Sequence, residues 1–400
     1  MIFDPSSQFY TINDFIIYFL SDTANLFFCF IFLTIFLLLQ KINIKEFFYW
    51  SLLFCFVSII NILAVSFNIF PDLNGYLVCL RDLRDNLSFQ ELECTITSMG
   101  SSDTELTEDG GAIGVFSLKR SLPAILYSLV PIPSIATLSS LGFINKIFLF
   151  LTYLALKKHI THIKPHLKIL LFLFILPSII IYSSIGLRDN IIFCTQALLL
   201  LTIFQKEFIK SSFLLAILYA IKLQNALIFS ILFVGVFIFK ADQSKRLFMF
   251  FCLSILGIIV YFQERIVEII NYFRLAFLNE VGALSPNMVF DGYDSLFQII
   301  LMSPLIFTKG LLAPLPLNAL SAIFFIESIS IVVISIWIIS KQLFSNSLFF
   351  MLVCITIFSG VVLNALVIEN DFTFLRYKYS FTFLFVIYLL IDSKRNTKNS

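Results

Sequence analysis

Three short clusters of charged residues stand out in an otherwise apolar chain. The first is SSIGLRDN at residues 183–190, where Arg188 and Asp189 are adjacent and Gly186 lets the backbone turn. The second covers residues 369–378, with Glu369, Asn370 and Asp371 followed by Arg376, Tyr377 and Lys378. The third mixes signs over Asp72, Tyr76, Arg81, Asp82, Arg84 and Asp85, and resumes at Lys119 and Arg120. Arginine carries a planar fork of donors that meets phosphate oxygens two at a time, which a lysine ammonium cannot do. The chemistry these clusters suit is the binding of anionic, phosphate-bearing ligands. A plainer reading competes with it, because Arg and Lys at the ends of membrane spans often only snorkel to the interface.

The elements that must position these clusters follow from composition. Hydrophobic residues make up 59% of 400 and charged residues 13%, with a mean hydropathy of +0.97. No soluble globular domain of this length has such a composition, so the chain is expected to be a single polytopic transmembrane domain over 1–400, all-α. The fifty phenylalanines are read as lipid-facing or packing residues, with no function of their own.

Apolar runs long enough to cross about 30 Å of hydrocarbon lie near residues 24–40, 47–69, 140–156, 167–184, 190–205, 247–262, 319–340, 348–368 and 375–391. Residues 211–239 are apolar too, but Lys222, Gln224 and Asn225 interrupt them, which predicts a tight helical pair with Lys222 near the turn. The expected total is about eleven spans, which places the two termini on opposite sides.

Short-loop charges set the orientation. Lys41 and Lys45, then Lys157, Lys158, Lys164 and Lys168, then Lys206 and Lys210, then Lys240, Lys245 and Arg246, then Lys341, then Lys394, Arg395 and Lys398 fall at alternate loops. Those loops are expected to be cytoplasmic, which puts the N-terminus outside. Residues 1–40 contain no Lys or Arg, hence no basic region of a cleavable signal peptide, and the first span is expected to stay in the mature protein. On this threading the cytoplasmic loops hold thirteen Lys and two Arg. The outer segments hold seven Arg (81, 84, 120, 188, 265, 274, 376) and only Lys119, Lys309 and Lys378. The positive-inside rule counts both cations alike, so an arginine-rich outer face is separate information pointing to binding.

Two outer segments are long. Residues 70–139 run from Pro71 through an acidic stretch at 101–111 into an apolar piece at 118–135, which Pro123, Pro131 and Pro133 disrupt. That piece is expected to be interfacial or re-entrant rather than a span. Residues 263–318 form the second, with a helical run at 263–279 on which Arg265 and Arg274 are expected to pair with Glu264 and Glu268. Cys79 and Cys94 fall in the first outer segment, where an oxidising compartment permits a disulfide, and they stand as either a bridged pair or two thiols. Cys29, Cys55, Cys194, Cys252 and Cys354 lie in apolar runs and read as small hydrophobes.

No phosphate loop, nucleophile elbow or zinc-protease motif is present. The three histidines, His159, His162 and His166, share a loop with Lys157 and Lys158. Their spacing would suit metal ligands on one helix face, but Pro165 interrupts that helix and the neighbours are cationic, so a basic loop is the expected reading.

SSIGLRDN at the end of a span, LLAPLPLN before a span containing Glu327, and END…LRYKYSF before the last span resemble the Wzy-type O-antigen or capsule polymerases. Chain length, phenylalanine-rich spans and two unequal outer segments resemble that family as well. The resemblance implies a GT-C-like fold in the bacterial inner membrane and a glycosyltransferase. Such an enzyme moves a glycan from undecaprenyl diphosphate to the nonreducing end of the next lipid-linked repeat unit at the periplasmic face. The implied partners are the lipid-linked donor and acceptor, the bilayer, a chain-length regulator and a flippase; nucleic acid is not among them. A diphosphate leaving group needs fixed positive charge, which guanidinium forks supply without a metal or other cofactor. Arg188 and Arg376 are the first candidates, with Arg120, Arg81 and Arg84 next. One carboxylate would suffice as base for the acceptor hydroxyl. Asp189, Asp371, Glu369 and Asp72 are the candidates, and Asp189 is alternatively the residue that orients Arg188.

Three other functions fit parts of the pattern. A GT-C transferase using a polyprenyl monophosphate sugar would place an acidic residue in the first outer loop, where Asp72 stands. An O-antigen ligase commonly relies on an outer histidine, and none falls there. A flippase would need a charged path through the spans, for which Lys146, Lys222 and Glu327 alone qualify.

Overall fold

The computed structural model describes residues 12–66, 138–160, 164–185, 188–240, 253–254, 257, 259–280, 292–341, 347–368 and 371–398. Among these the secondary structure is helical, with no strand. The helices are α1 (Ile12–Leu38), α2 (Ile44–Ser66), α3 (Leu138–Ile160), α4 (Lys164–Phe174), α5 (Pro177–Ser184), α6 (Asp189–Phe204), α7 (Phe208–Ile221), α8 (Leu223–Lys240), α9 (Gln263–Glu280), α10 (Leu296–Leu312), α11 (Ala319–Lys341), α12 (Ser347–Val367) and α13 (Asp371–Lys398).

Six helices among the described residues are long and apolar enough to cross a membrane: Leu20–Leu38, Ile44–Asn61, Ser139–Ile160, Ala319–Ser340, Phe349–Val367 and Phe374–Asp392. Each overlaps a run identified in the sequence, and the chain has the build of a polytopic membrane protein. The run at 167–184 is not one straight helix. It bends by 50° between His166–Phe174 and Pro177–Ser184, because Pro177 has no N–H for the ladder and disfavours helical geometry at Leu176, whose ψ is 143°. The pair expected at 211–239 forms as α7 and α8, with Lys222 between them. The run at 247–262 falls largely outside the described residues.

Local chemistry explains the turns. α1 ends with Gln40 at φ 55°, and the N–H groups of Gln40 and Lys41 return to Leu37 O and Phe36 O at 3.0 Å each. That is a Schellman closure built on a non-glycine residue. Lys206 repeats it after α6 at φ 61°, with Lys206 N to Ile203 O and Glu207 N to Thr202 O at 3.0 and 2.9 Å. At the start of α2, Asn43 and Glu46 cap each other, backbone N–H to side-chain oxygen in both directions at 2.9 Å, the reciprocal arrangement of a capping box.

Two compact units divide the chain. The first takes residues 1–158, 174–198 and 216–223, and α3 is its central helix, with 78% of the Ser139–Ile160 window buried. Trp50 packs there against Phe150, Tyr153 and Phe174 with ring centroids at 5.1, 5.4 and 5.9 Å. Glu46, at the start of α2, accepts from Lys157 Nζ at 2.7 Å and Tyr153 OH at 2.6 Å at the end of α3. Lys157 also donates to Lys41 O at 3.2 Å. The two helices are therefore antiparallel, and Lys41 and Lys157 share one end of this unit.

The second unit takes residues 159–173, 199–215 and 224–400. Its central helix is α13, with 83% of the Phe374–Asp392 window buried, flanked by α10, α11 and α12. Gly360 lets α12 come against the Phe381 ring, where a side chain would collide. Phe349 at the start of α12 meets Tyr388 in the second half of α13 at 5.5 Å and Phe204 at 5.7 Å. Lys206 therefore lies toward the end of this unit away from Arg376.

Candidate functional site

The segment that carries Arg188 hangs on a lattice of buried amides. Asn61, 15 residues or about 22 Å along α2 from Glu46, donates Nδ2 to Val57 O at 2.9 Å and Ser184 O at 2.8 Å. Asn145 of α3 donates to Ile185 O at 2.8 Å. Asn190 of α6 donates to Asn145 O at 2.9 Å. Lys146, with no solvent exposure, reaches the end of α5 from the adjacent position, donating to Ser183 Oγ at 2.6 Å and Ile180 O at 3.2 Å. The contacts of Asn61 and Asn145 satisfy the Ser184 and Ile185 carbonyls at the C-terminal end of α5, a requirement that becomes strict where water is scarce. Gly142 completes the lattice, because any Cβ at that position would overlap the Ser184 carbonyl.

Arg188 follows at the opposite end of the unit from Lys41 and Lys157. It is half-buried, and its carbonyl accepts from Ile192 N at 2.9 Å as the cap of α6. Asp189 is the first residue of α6 and is 3% exposed. An acidic side chain in a first helical turn lies at the positive end of the peptide dipoles. The first unit thus presents a guanidinium and a carboxylate on consecutive residues, held by polar groups from α2, α3 and α6.

In the second unit, one lysine joins two of the motifs. Lys378 of α13, 2% exposed, donates to Gly310 O, Leu311 O and Ser328 Oγ at 3.0 Å each, and also to Ala313 O. This brings the segment LLAPLPLN, which begins at the end of α10, onto the segment LRYKYSF. Arg376 is half-buried one turn ahead of Tyr379, with its guanidinium 5.4 Å from the Tyr377 ring. Glu327, 3% exposed, precedes Ser328 on α11. Asp371 begins α13.

Arg265 pairs with Glu268 at 2.9 Å as expected, and Arg274 sits over the Tyr293 ring at 5.1 Å. Lys146 is directed at the Ser183 hydroxyl and the Ile180 carbonyl of α5. Glu369, Asp72, Arg81, Arg84, Arg120, Cys79 and Cys94 lie outside the described residues, as does the side chain of Asp371. His159 meets Gln205 at 2.9 Å, and His162 is outside the described set. Among the described residues no three His, Cys, Asp or Glu side chains gather as a metal site.

Asn61, Asn145, Lys146 and Lys378 were not singled out as positioning residues from sequence. Their signal was present: an amide or ammonium inside an apolar run must find a partner there. Asp22 and Asn25, 5% and 0% exposed on one face of α1, belong to the same class. No family model, no curated protein and no solved structure matches this chain. The functional reading therefore rests on the residues themselves.

Proposed function

We propose that the chain is a Wzy-type polymerase that joins undecaprenyl-diphosphate-linked repeat units at the periplasmic face of the bacterial inner membrane. The observation that supports this reading is the Arg188–Asp189 pair at the start of α6, beside Asn190 bonded to Asn145, with Asn61, Asn145 and Lys146 bonded to the end of α5 that precedes it in the sequence. A diphosphate needs preorganised positive charge, and a guanidinium on a rigid support supplies it without reorganisation during reaction.

In the proposed reaction an acceptor hydroxyl attacks the anomeric carbon of the donor glycan. The bond from that carbon to the diphosphate oxygen breaks, and the diphosphate leaves with the electron pair, its charge held by an arginine, for which Arg188 and Arg376 are each a candidate. The hydroxyl proton passes to a carboxylate, for which Asp189, Asp371, Glu369 and Asp72 stand as candidates. Arg120, Arg81 and Arg84 would add charge from the first outer segment.

The proposed threading has about eleven spans in a GT-C-like arrangement, made from the six long helices, the bent pair α4 and α5, the shorter helices α6, α7 and α8, and the run at 247–262. It puts the N-terminus outside and the C-terminus inside. Its support is the separation within the first unit, where Lys41 and Lys157 meet at one end and Arg188 lies at the other. Purified protein supplied with a single undecaprenyl-diphosphate-linked repeat unit should release undecaprenyl diphosphate and form glycans of two or more units. Hydrolysis without glycan growth would contradict the reading.

A further inference from the structure

α10 ends in an unusual environment. Its last carbonyls, those of Gly310 and Leu311, have no later turn of helix to bond to, and they carry the negative end of the helix dipole. Lys378 meets both, reaches Ala313 O beyond them, and touches Ser328 Oγ on α11. Ser328 itself donates to Ala313 O at 3.2 Å and Phe324 O at 3.0 Å. An ammonium has three protons, so these four oxygens share a single buried cation. The side chain leaves α13 two residues after Arg376, and Gly310 also lies against Phe374 two residues before Arg376.

We infer that Lys378 is a positioning residue: a tethered cation that closes the C-terminus of α10 and ties the 313–318 turn to α11 and α13. It thereby gives the turn of α13 that carries Arg376 one fixed place. Only the statement of what Arg376 then holds, a lipid diphosphate, rests on the polymerase reading. Lys378 is not a phosphate ligand on this view, since its protons are directed at carbonyls in a site 2% exposed.

Lys378→Ala deletes three carbons and the ammonium, the shape of propylammonium. Purified full-length Lys378→Ala should melt at a lower temperature than wild type. Propylammonium should raise that temperature in a saturable way, while 1-propanol, of the same size but uncharged, should not. Wild type should respond to neither. On the lipid-linked repeat unit, kcat per folded molecule should fall by about tenfold or more, equivalent to about 1.4 kcal/mol of barrier, and propylammonium should restore it with little change in KM. Ser328→Ala, which keeps the ammonium and most of its acceptors, is the milder variant if Lys378→Ala does not accumulate, and should show a smaller kcat loss in the same direction.

A Lys378→Ala protein whose melting ignores propylammonium would overturn the tethered cation. Wild-type kcat per folded molecule in Lys378→Ala, or in Ser328→Ala where only that variant accumulates, would reduce Lys378 to a stabilising contact and overturn the positioning role. If wild type itself extends no glycan, yet propylammonium still rescues melting, the polymerase reading fails and the tethered cation stands.

Discussion

Lys146 donates to Ser183 Oγ across 2.6 Å inside the first unit, and the two residues would lose little by separation. Ser183 keeps its own bond to Ile179 O, and Ile180 O keeps the Ser184 hydroxyl at 2.5 Å. Burying an ammonium costs several kcal/mol, so the contact is a weak source of stability. Its value lies in where it holds the end of α5, five residues before Arg188 in the sequence.

This sets Lys146 against Asn61 in sign. Lys146→Met removes a buried charge and strands no acceptor, so its melting stability should stay within about 1 kcal/mol of wild type or rise. Asn61→Leu leaves Ser184 O without its amide donor and should cost about 1–3 kcal/mol. Melting in detergent, followed by tryptophan fluorescence, checks both; a larger loss for Lys146→Met than for Asn61→Leu would refute the assignment.

The Glu46–Lys157 pair behaves differently, because each partner is committed. Glu46 is 2% exposed and also serves the cap of α2. Lys157→Met would strand a buried carboxylate, with an expected loss of about 3–5 kcal/mol. The same melting assay reads it. Yet Lys157→Met should keep kcat per folded molecule near wild type, since the pair lies at the end of the unit opposite Arg188.

Much of this architecture was legible in the sequence, and the reasons are physical. Membrane spans need long apolar runs, so α2, α3, α11, α12 and α13 appear at the expected places. The break at Pro177 was less visible, because the apolar run continues through it and hydropathy does not report backbone donors. Lys222 at a turn was legible, since a lone cation in an apolar stretch seeks an end. Lys378 was read as one more outer cation, because sequence gives the side of a residue but not the direction of its side chain. Its partners at residues 310, 311 and 313 are more than sixty positions away. Arg274 escaped for the same reason: Tyr293 lies beyond the reach of helix-spacing rules.

If Arg188 or Arg376 grips a diphosphate with both arms of the guanidinium, a lysine at that position keeps the charge and loses the fork. Arg188→Lys and Arg376→Lys should insert at normal levels, and the variant at the gripping position should lower kcat by about a hundredfold, the usual effect of removing one preorganised donor. Glycan ladders on gels and rates with purified protein check this. Unchanged ladders in both variants would remove these residues from the site.

Charge stabilisation by arginine also predicts tolerance of chelation. Purified protein should extend the lipid-linked repeat unit at the same rate in EDTA. A rate that falls in EDTA and returns with magnesium or manganese would replace the arginine mechanism with a metal-assisted one.

Deleting the gene in its host separates polymerisation from the other functions. Surface glycan should then carry a single repeat unit, with no ladder above it, and the wild-type gene should restore the ladder. A deletion strain that keeps its full ladder, or that loses every surface repeat unit, would contradict polymerisation.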